Sequence, residues 1–259
     1  MNTSPSTSNC ANCCAQLHGK FCHQCGQKQM TERFSVKLLL NAFLKKIFDV
    51  ETGLWFTTKE LMVRPGKVVR DYLHGAQINY TKPVQFFFLT TALVFIALGF
   101  SDLYQQNVTS FEQGFNYGYG DGKEIPSHVK HYIAQISFWI KDIRIFIISS
   151  IPIYALLFQW MFRRAKLNYA EHVIFLLYAT AQSNLIALPF FVLGAYVEPM
   201  IIQVGALFSV IYIVWATQQF YQRPWLRGLA AYLLATVLYL IIVLVIFMLS
   251  AYILLSIYK

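Results

Sequence analysis

Apolar residues fall into five long runs over the last two-thirds of the chain, at 83–100, 143–162, 172–197, 200–221 and 229–258. Each is close to the roughly 20 residues that a helix needs to cross about 30 Å of hydrocarbon. No acidic or basic residue lies well inside any of them. The first run is short and gains a turn at one end, while the last is long enough to tilt or to project beyond the bilayer. Pro152 and Pro189 lie within the second and third runs, where membrane helices tolerate proline. The pattern predicts an all-α integral membrane protein with about five transmembrane helices in a domain over 83–259.

Residues 31–82 carry a different pattern, mixed and basic, with apolar positions at helical spacing. Val36, Leu39, Leu40, Phe43 and Ile47 share one face, and Lys37, Asn41 and Lys45 lie elsewhere. Such a helix either packs on the membrane helices or lies on a bilayer with its lysines among phosphates. Residues 52–63 form a further helical stretch, which Arg64-Pro65-Gly66 interrupts. Pro65 cannot continue a helix but suits the first turn of a new one, and Gly75 suits its C-terminal cap. The segment predicts short amphipathic juxtamembrane helices, with Lys37, Lys45, Lys46, Arg64, Lys67 and Arg70 as the basic interfacial residues.

Lysine and arginine counts in the flanking segments set an orientation. The region before Pro83 is rich in both, Arg163, Arg164 and Lys166 follow the second run, and Arg223 and Arg227 follow the fourth. Glu198 and Pro199, between the third and fourth runs, have no basic neighbour; they mark either a tight hairpin or a break within a re-entrant pair. The long loop at 101–142 is mixed in charge and is expected outside. It contains an aromatic-glycine stretch from Phe115 to Gly122 and a helix opening at Pro126, with Tyr132 and Trp139 suited to the headgroup level. Asn107-Val108-Thr109 matches a glycosylation acceptor, a pattern frequent by chance. The expected topology has the N-terminus in the cytosol and the C-terminus outside.

Composition agrees with this placement. Hydrophobic residues make up 57% of the 259 residues and charged ones 13%, against roughly 25% charged in a soluble domain. The net charge of +9 is concentrated in the N-terminal third and the short loops, where topology uses it, so no nucleic-acid partner is expected.

The chemistry is concentrated in residues 1–30, which hold all five cysteines between Cys10 and Cys25. No apolar signal segment precedes them, so the head is expected in a reducing compartment, where paired cysteines more often hold metal than form disulfides. Cys10-x-x-Cys13 and Cys22-x-x-Cys25 are two tight turns, each able to aim two sulfurs at one ion, and Gly26 can take the positive φ that closes such a turn. Facing each other they make a four-sulfur site that suits structural Zn2+, a minimal zinc ribbon. Cys14 opens a second register in which it pairs with Cys10, and His18 or His23 could replace a cysteine. A tract this short cannot bury enough core to fold alone, and metal binding supplies the missing folding free energy.

The membrane part has no comparable signal. Gln182, Ser183 and Asn184 are the most polar positions within a run, and Gln159, Gln85, Thr90 and Thr91 could face them. Such groups either join helices by hydrogen bonds or line a narrow polar pathway. Glu171 and His172 at the start of the third run read as boundary anchors, and no catalytic constellation stands out.

One resemblance is carried by the Cys-x-x-Cys head with Gly19-Lys20-Phe21-Cys22-His23-Gln24-Cys25-Gly26-Gln27. It continues through Thr57-Thr58-Lys59-Glu60-Leu61-Met62-Val63-Arg64-Pro65-Gly66, Asp71-Tyr72-Leu73-His74-Gly75 and Tyr80-Thr81-Lys82-Pro83. Here the chain resembles a family of bacterial multi-pass membrane proteins common in the Bacteroidota, grouped as a domain of unknown function. Cys14 and Gln77 depart from its pattern, which has glycine and a basic residue there. The resemblance implies the architecture above and a bacterial inner membrane, and it carries no activity. The reading is a membrane-anchored adaptor or scaffold whose zinc head docks a cytosolic protein partner or anionic lipid. A homo-oligomer is compatible with it. The alternative is a small permease or channel with a polar pathway near Gln182 and Asn184.

Overall fold

The computed structural model describes residues 9–17, 19–29, 34–36, 53–99, 143–198 and 200–257. Among them the chain is helical, with two isolated β-bridges near the N-terminus and no strand. Two short helices, α1 (Leu54–Val63) and α2 (Pro65–Leu73), precede five long ones: α3 (Pro83–Gly99), α4 (Ile143–Met161), α5 (Tyr169–Tyr196), α6 (Met200–Tyr221) and α7 (Trp225–Ile257). Each long helix coincides with one apolar run. Three of them, over Tyr169–Gly194, Met200–Tyr221 and Trp225–Ser250, are long and apolar enough to cross a membrane; the apolar helix Pro83–Ala97 is shorter. The loop at 101–142, most of the helix expected from Val36, and Lys37, Lys45, Lys46 and His18 lie outside the described residues.

Two boundaries differ from the sequence expectation, both because local chemistry starts a helix before hydropathy rises. α5 begins at Tyr169 rather than 172. The Asn168 side chain accepts from the Glu171 N–H at 2.9 Å while the Glu171 carboxylate accepts from the Asn168 N–H at 2.9 Å, a reciprocal capping box. α7 begins at Trp225, directly after Pro224, whose fixed φ favours a helical start.

The short helices follow their sequence signals closely. Pro65 is the first residue of α2. At its other end Gly75 takes φ 104°. The Gly75 N–H donates to Tyr72 and the Ala76 N–H to Asp71, so two final carbonyls of the helix are satisfied.

α5 is the hub of the bundle, packed along α3 and α6 and also against α4, α2 and α1. Residues 174–179 of α5 are all buried. α6 returns antiparallel along it: Phe175 stacks on Phe220 at 4.7 Å, Ser209 Oγ donates to the Ser183 carbonyl at 3.4 Å, and Phe190 stacks on Phe208 at 5.4 Å. Glu198 therefore sits in a short connection between two complete helices. Gly205 permits the close approach, since a Cβ there would lie 2.5 Å from the Phe190 Cβ. α7 packs on α6 and α4, with the Tyr154 hydroxyl donating to Thr236 Oγ1 at 2.9 Å. The outward faces are apolar, including Val204, Leu207 and Ile211 on α6 and Leu233, Leu240, Leu244 and Met248 on α7. Continuous apolar surface of this kind is stable against lipid and not against water.

Among the described residues, polar and basic groups collect at one end. There Phe162 at the end of α4 stacks on Tyr221 at 3.9 Å, and Arg163, Arg164 and Lys166 are exposed. Asn168 Nδ2 donates to the Phe34 carbonyl at 2.9 Å. Arg70 donates to the carbonyls of Gln219 and Phe220, closing the C-terminus of α6 with a positive charge. α1 and α2 thus form a collar at the same end as the basic loops.

Candidate metal centre

The head is built from two turns that repeat each other. In the first, Asn9 bridges to Gln16, the Cys10 N–H donates to the Ala15 carbonyl at 2.7 Å, and the Cys14 N–H donates to the Cys10 carbonyl at 2.9 Å. In the second, Phe21 bridges to Lys28, the Cys22 N–H donates to the Gln27 carbonyl at 2.9 Å, and the Gly26 N–H donates to the Cys22 carbonyl at 2.9 Å. Each turn closes through a left-handed residue, Cys14 at φ 62° and Gly26 at φ 73°. Glycine takes that conformation without cost and cysteine does not.

The two turns face each other and bring the sulfurs of Cys10, Cys13, Cys22 and Cys25 within 4.8 Å of one another. Cys10 and Cys25 sulfurs are 3.6 Å apart, and those of Cys13 and Cys22 are 3.5 Å apart. A tetrahedral ion with sulfurs at about 2.3 Å needs sulfur pairs about 3.8 Å apart, so the set fits one thiophilic metal ion. Every cysteine in the head is a free thiol. Cys14 is exposed and outside the cluster, which removes the alternative register; its role is the turn position that Gly26 fills in the other half. His23 is exposed and does not join the cluster.

Electrostatics point the same way. The backbone N–H of Cys25 is the main influence pulling the Cys22 thiol down to about 6, with help from the Gln24 N–H and the neighbouring sulfurs against the opposing effect of burial. At Cys13 the Ala15 N–H lowers the value, but burial and the crowding sulfurs of Cys22, Cys25 and Cys10 outweigh it and push the thiol up to about 12. The turns favour one thiolate, and its neighbours then resist ionising. A dication relieves that repulsion, and four sulfurs leave no open coordination position, so such a site is structural.

Sequence reasoning missed how the head is attached. Gln27, buried beneath the second turn, accepts from the N–H of Gln77 at 3.0 Å and of Ile78 at 2.8 Å, while its amide donates to the Lys28 carbonyl at 3.0 Å. Asn79 Nδ2 meets Asn12 Oδ1 at 3.5 Å. The loop continues to Thr81, whose carbonyl accepts from the Tyr178 hydroxyl of α5 at 2.6 Å. One chain of polar contacts therefore runs from the cysteine turns to the hub helix. Replacing Gln27 by alanine leaves two backbone donors without their acceptor, at a cost of about 1–3 kcal/mol. Hydrogen exchange should show faster amide exchange at Gln77 and Ile78 than in the unsubstituted protein, with the α5 amides unchanged.

The other expected site residues are dispersed. Arg64 is exposed and paired with Glu60, Lys67 is exposed, and Arg70 donates to the last carbonyls of α6. Glu171 is engaged in the capping box, and His172 Nδ1 meets the Tyr221 hydroxyl at 2.6 Å. Asn184 Nδ2 donates to Thr91 Oγ1 at 3.0 Å, which ties α5 to α3. Gln182 faces a different side of α5, is fully buried, and has no partner for either amide atom among the described residues. Gln159 is half-buried on α4 and makes no hydrogen bond to these three among the described residues. The patch is thus not a single constellation.

Residues 51–95 match the model of a family described as Protein of unknown function (DUF3667). The matched stretch covers α1, α2 and most of α3, the collar rather than the cysteine turns. No curated protein and no solved structure matches the chain.

Proposed function

We propose that the chain is a membrane-anchored adaptor: a structural Zn2+ head, fixed on a helical collar, presents a docking surface to a cytosolic protein or to anionic lipid. The observation that carries this reading is the buried Gln27, which makes the cysteine turns part of the collar instead of a tethered tail. Zinc is the metal because four thiolates impose a tetrahedron that its filled shell accepts without penalty. In this reading α3 to α7 are five spans of a bacterial inner membrane, with the N-terminus inside and the C-terminus outside. The basic residues gathered at the head's end support that orientation by the positive-inside rule. The resemblance of the head and collar to a bacterial membrane family supports the location.

Amine-reactive cross-linking in native membranes tests the adaptor. Lys20 and Lys28 flank the exposed side of the second turn, and cross-links from them to a soluble protein are expected. Those links should vanish in the Cys10→Ser, Cys22→Ser double variant. A cross-link set unchanged by that substitution contradicts the reading.

One observation favours a permease instead, the fully buried and unpartnered amide of Gln182. Osmotic swelling of reconstituted vesicles in glycerol measures it. Swelling no faster than in empty vesicles, or unaltered by Gln182→Leu, eliminates that version.

A further inference from the structure

Leu61 and Thr57 form the buried side of α1, and the opposite side is apolar and open. Trp55, Phe56, Met62 and Val63 are all exposed, Trp55 by 79% and Val63 by 64%. With Lys59 they fall within an arc of about 120° at 100° per residue. Such a stripe on a helix needs an occupant, and the depth of α1 in the bundle identifies it.

Both ends of α1 are fastened well inside the candidate spans. At its C-terminal end the Leu61 carbonyl accepts from the Tyr212 hydroxyl at 3.1 Å; Tyr212 lies about 13 Å along α6 from Tyr221 at 1.5 Å per residue. At its N-terminal end the buried Thr57 hydroxyl accepts from the Thr81 N–H at 2.8 Å. Thr81 in turn is held by Tyr178, about 13 Å along α5 from Tyr169. Thr57 and Leu61 are thus held alongside α5 and α6, beside the membrane-crossing helices and not beyond their ends. A span of 26 residues such as Tyr169–Gly194 is about 39 Å long, about 9 Å more than the hydrocarbon, so a level about 13 Å from its head-side end falls in the outer part of the acyl layer, within side-chain reach of the headgroups. The open side of α1 therefore lies where acyl chains meet headgroups.

Charge completes the match. Lys59 is exposed in the middle of the stripe, Lys67 is exposed near the start of α2, and Arg64 lies between them in the chain. The Arg64 hydrogen bond is the largest influence holding the Glu60 carboxyl below its ordinary range, with Arg64, Lys67 and Lys59 adding attraction as positive charges. Asp71 also attracts Arg64, so three cations face two carboxylates and leave a single surplus positive charge.

We infer that α1 is an in-plane anchor, with Trp55, Met62 and Val63 inserted at the acyl boundary of the leaflet on the head's side and Lys59 and Lys67 binding anionic phospholipid headgroups. This rests on the adaptor reading and names lipid as what its collar binds.

The test uses the intact protein in nanodiscs containing brominated phosphatidylglycerol or brominated phosphatidylcholine. The Trp55 contribution is the difference in fluorescence between the protein and its Trp55→Tyr variant. Quenching by both bromolipids is expected, stronger for phosphatidylglycerol in mixed bilayers, with that preference falling about fivefold for each lysine removed in Lys59→Gln and Lys67→Gln. A Trp55 component quenched by acrylamide and not by bromolipid overturns the placement. Equal quenching by both lipids, unaltered by the lysine substitutions, overturns the anionic recognition. The cross-links from Lys20 and Lys28 report separately, so their absence beside intact lipid quenching removes the adaptor reading alone.

Discussion

Replacing Cys22 with serine is expected to release the metal and unfold residues 9–29, the largest effect of any single substitution in the chain. Among its described residues the head has little apolar interior beyond the Cys10 and Cys22 side chains themselves, so a bound ion would supply most of its folding free energy. Structural zinc contributes about 10–16 kcal/mol in peptides of this kind, and a serine hydroxyl does not replace a thiolate at neutral pH. Limited proteolysis should cut the Cys22→Ser head at once while the helices stay intact. Cys14→Ser should match the unsubstituted protein in both metal content and protease resistance, because Cys14 is exposed and outside the cluster. Equal sensitivity of the two variants contradicts the four-sulfur assignment.

The second large effect is expected at Gly66. A Cβ there would lie 2.6 Å from both the carbonyl oxygen and the Cβ of Gln219, so the obstacle is mostly backbone. α2 and α6 would have to separate. That movement also strains the Arg70 contacts to the Gln219 and Phe220 carbonyls and the 3.4 Å bond from the Gly66 N–H to Gln219 Oε1. Overpacking of this kind costs about 1–3 kcal/mol. Thermal unfolding in detergent should show a clear loss of Tm for Gly66→Ala. Gly19→Ala, where nothing lies within 4 Å of the new carbon, should show none.

Gly66 also marks where the sequence stops being readable. The Arg64-Pro65-Gly66 break is visible in the sequence because proline's ring closes one helix and opens the next. That Gly66 is needed for backbone contact with Gln219 depends on a partner far along the chain, and no periodicity encodes it. Gln27 is similar. It looks like a solvated residue after a metal turn, and its acceptance of two N–H groups from the loop before α3 emerges only once the head is docked. Arg70 reads as a basic residue of the juxtamembrane segment, and that it closes the end of α6 depends on a helix far along the chain.

Other features were legible because their causes are local. The cysteine turns need residues three apart, and the five apolar runs locate their helices to within a few residues. The role of Cys14 was not legible, because its thiol left a second register open. Its left-handed φ of 62° and its place outside the cluster give it a conformational position opposite Gly26 instead of a ligand's. Gln182, Ser183 and Asn184 are adjacent in the sequence yet meet different surroundings, since helix neighbours one or two apart do not face each other. Asn184 joins α3 while Gln182 points into a different part of the core.

The most direct test of the account is native mass spectrometry of the intact protein purified from membranes without added metal or oxidant. One zinc ion per chain, with all five cysteines still reduced, is the predicted result. A metal-free chain whose mass reveals disulfides between Cys10 and Cys25 would contradict it.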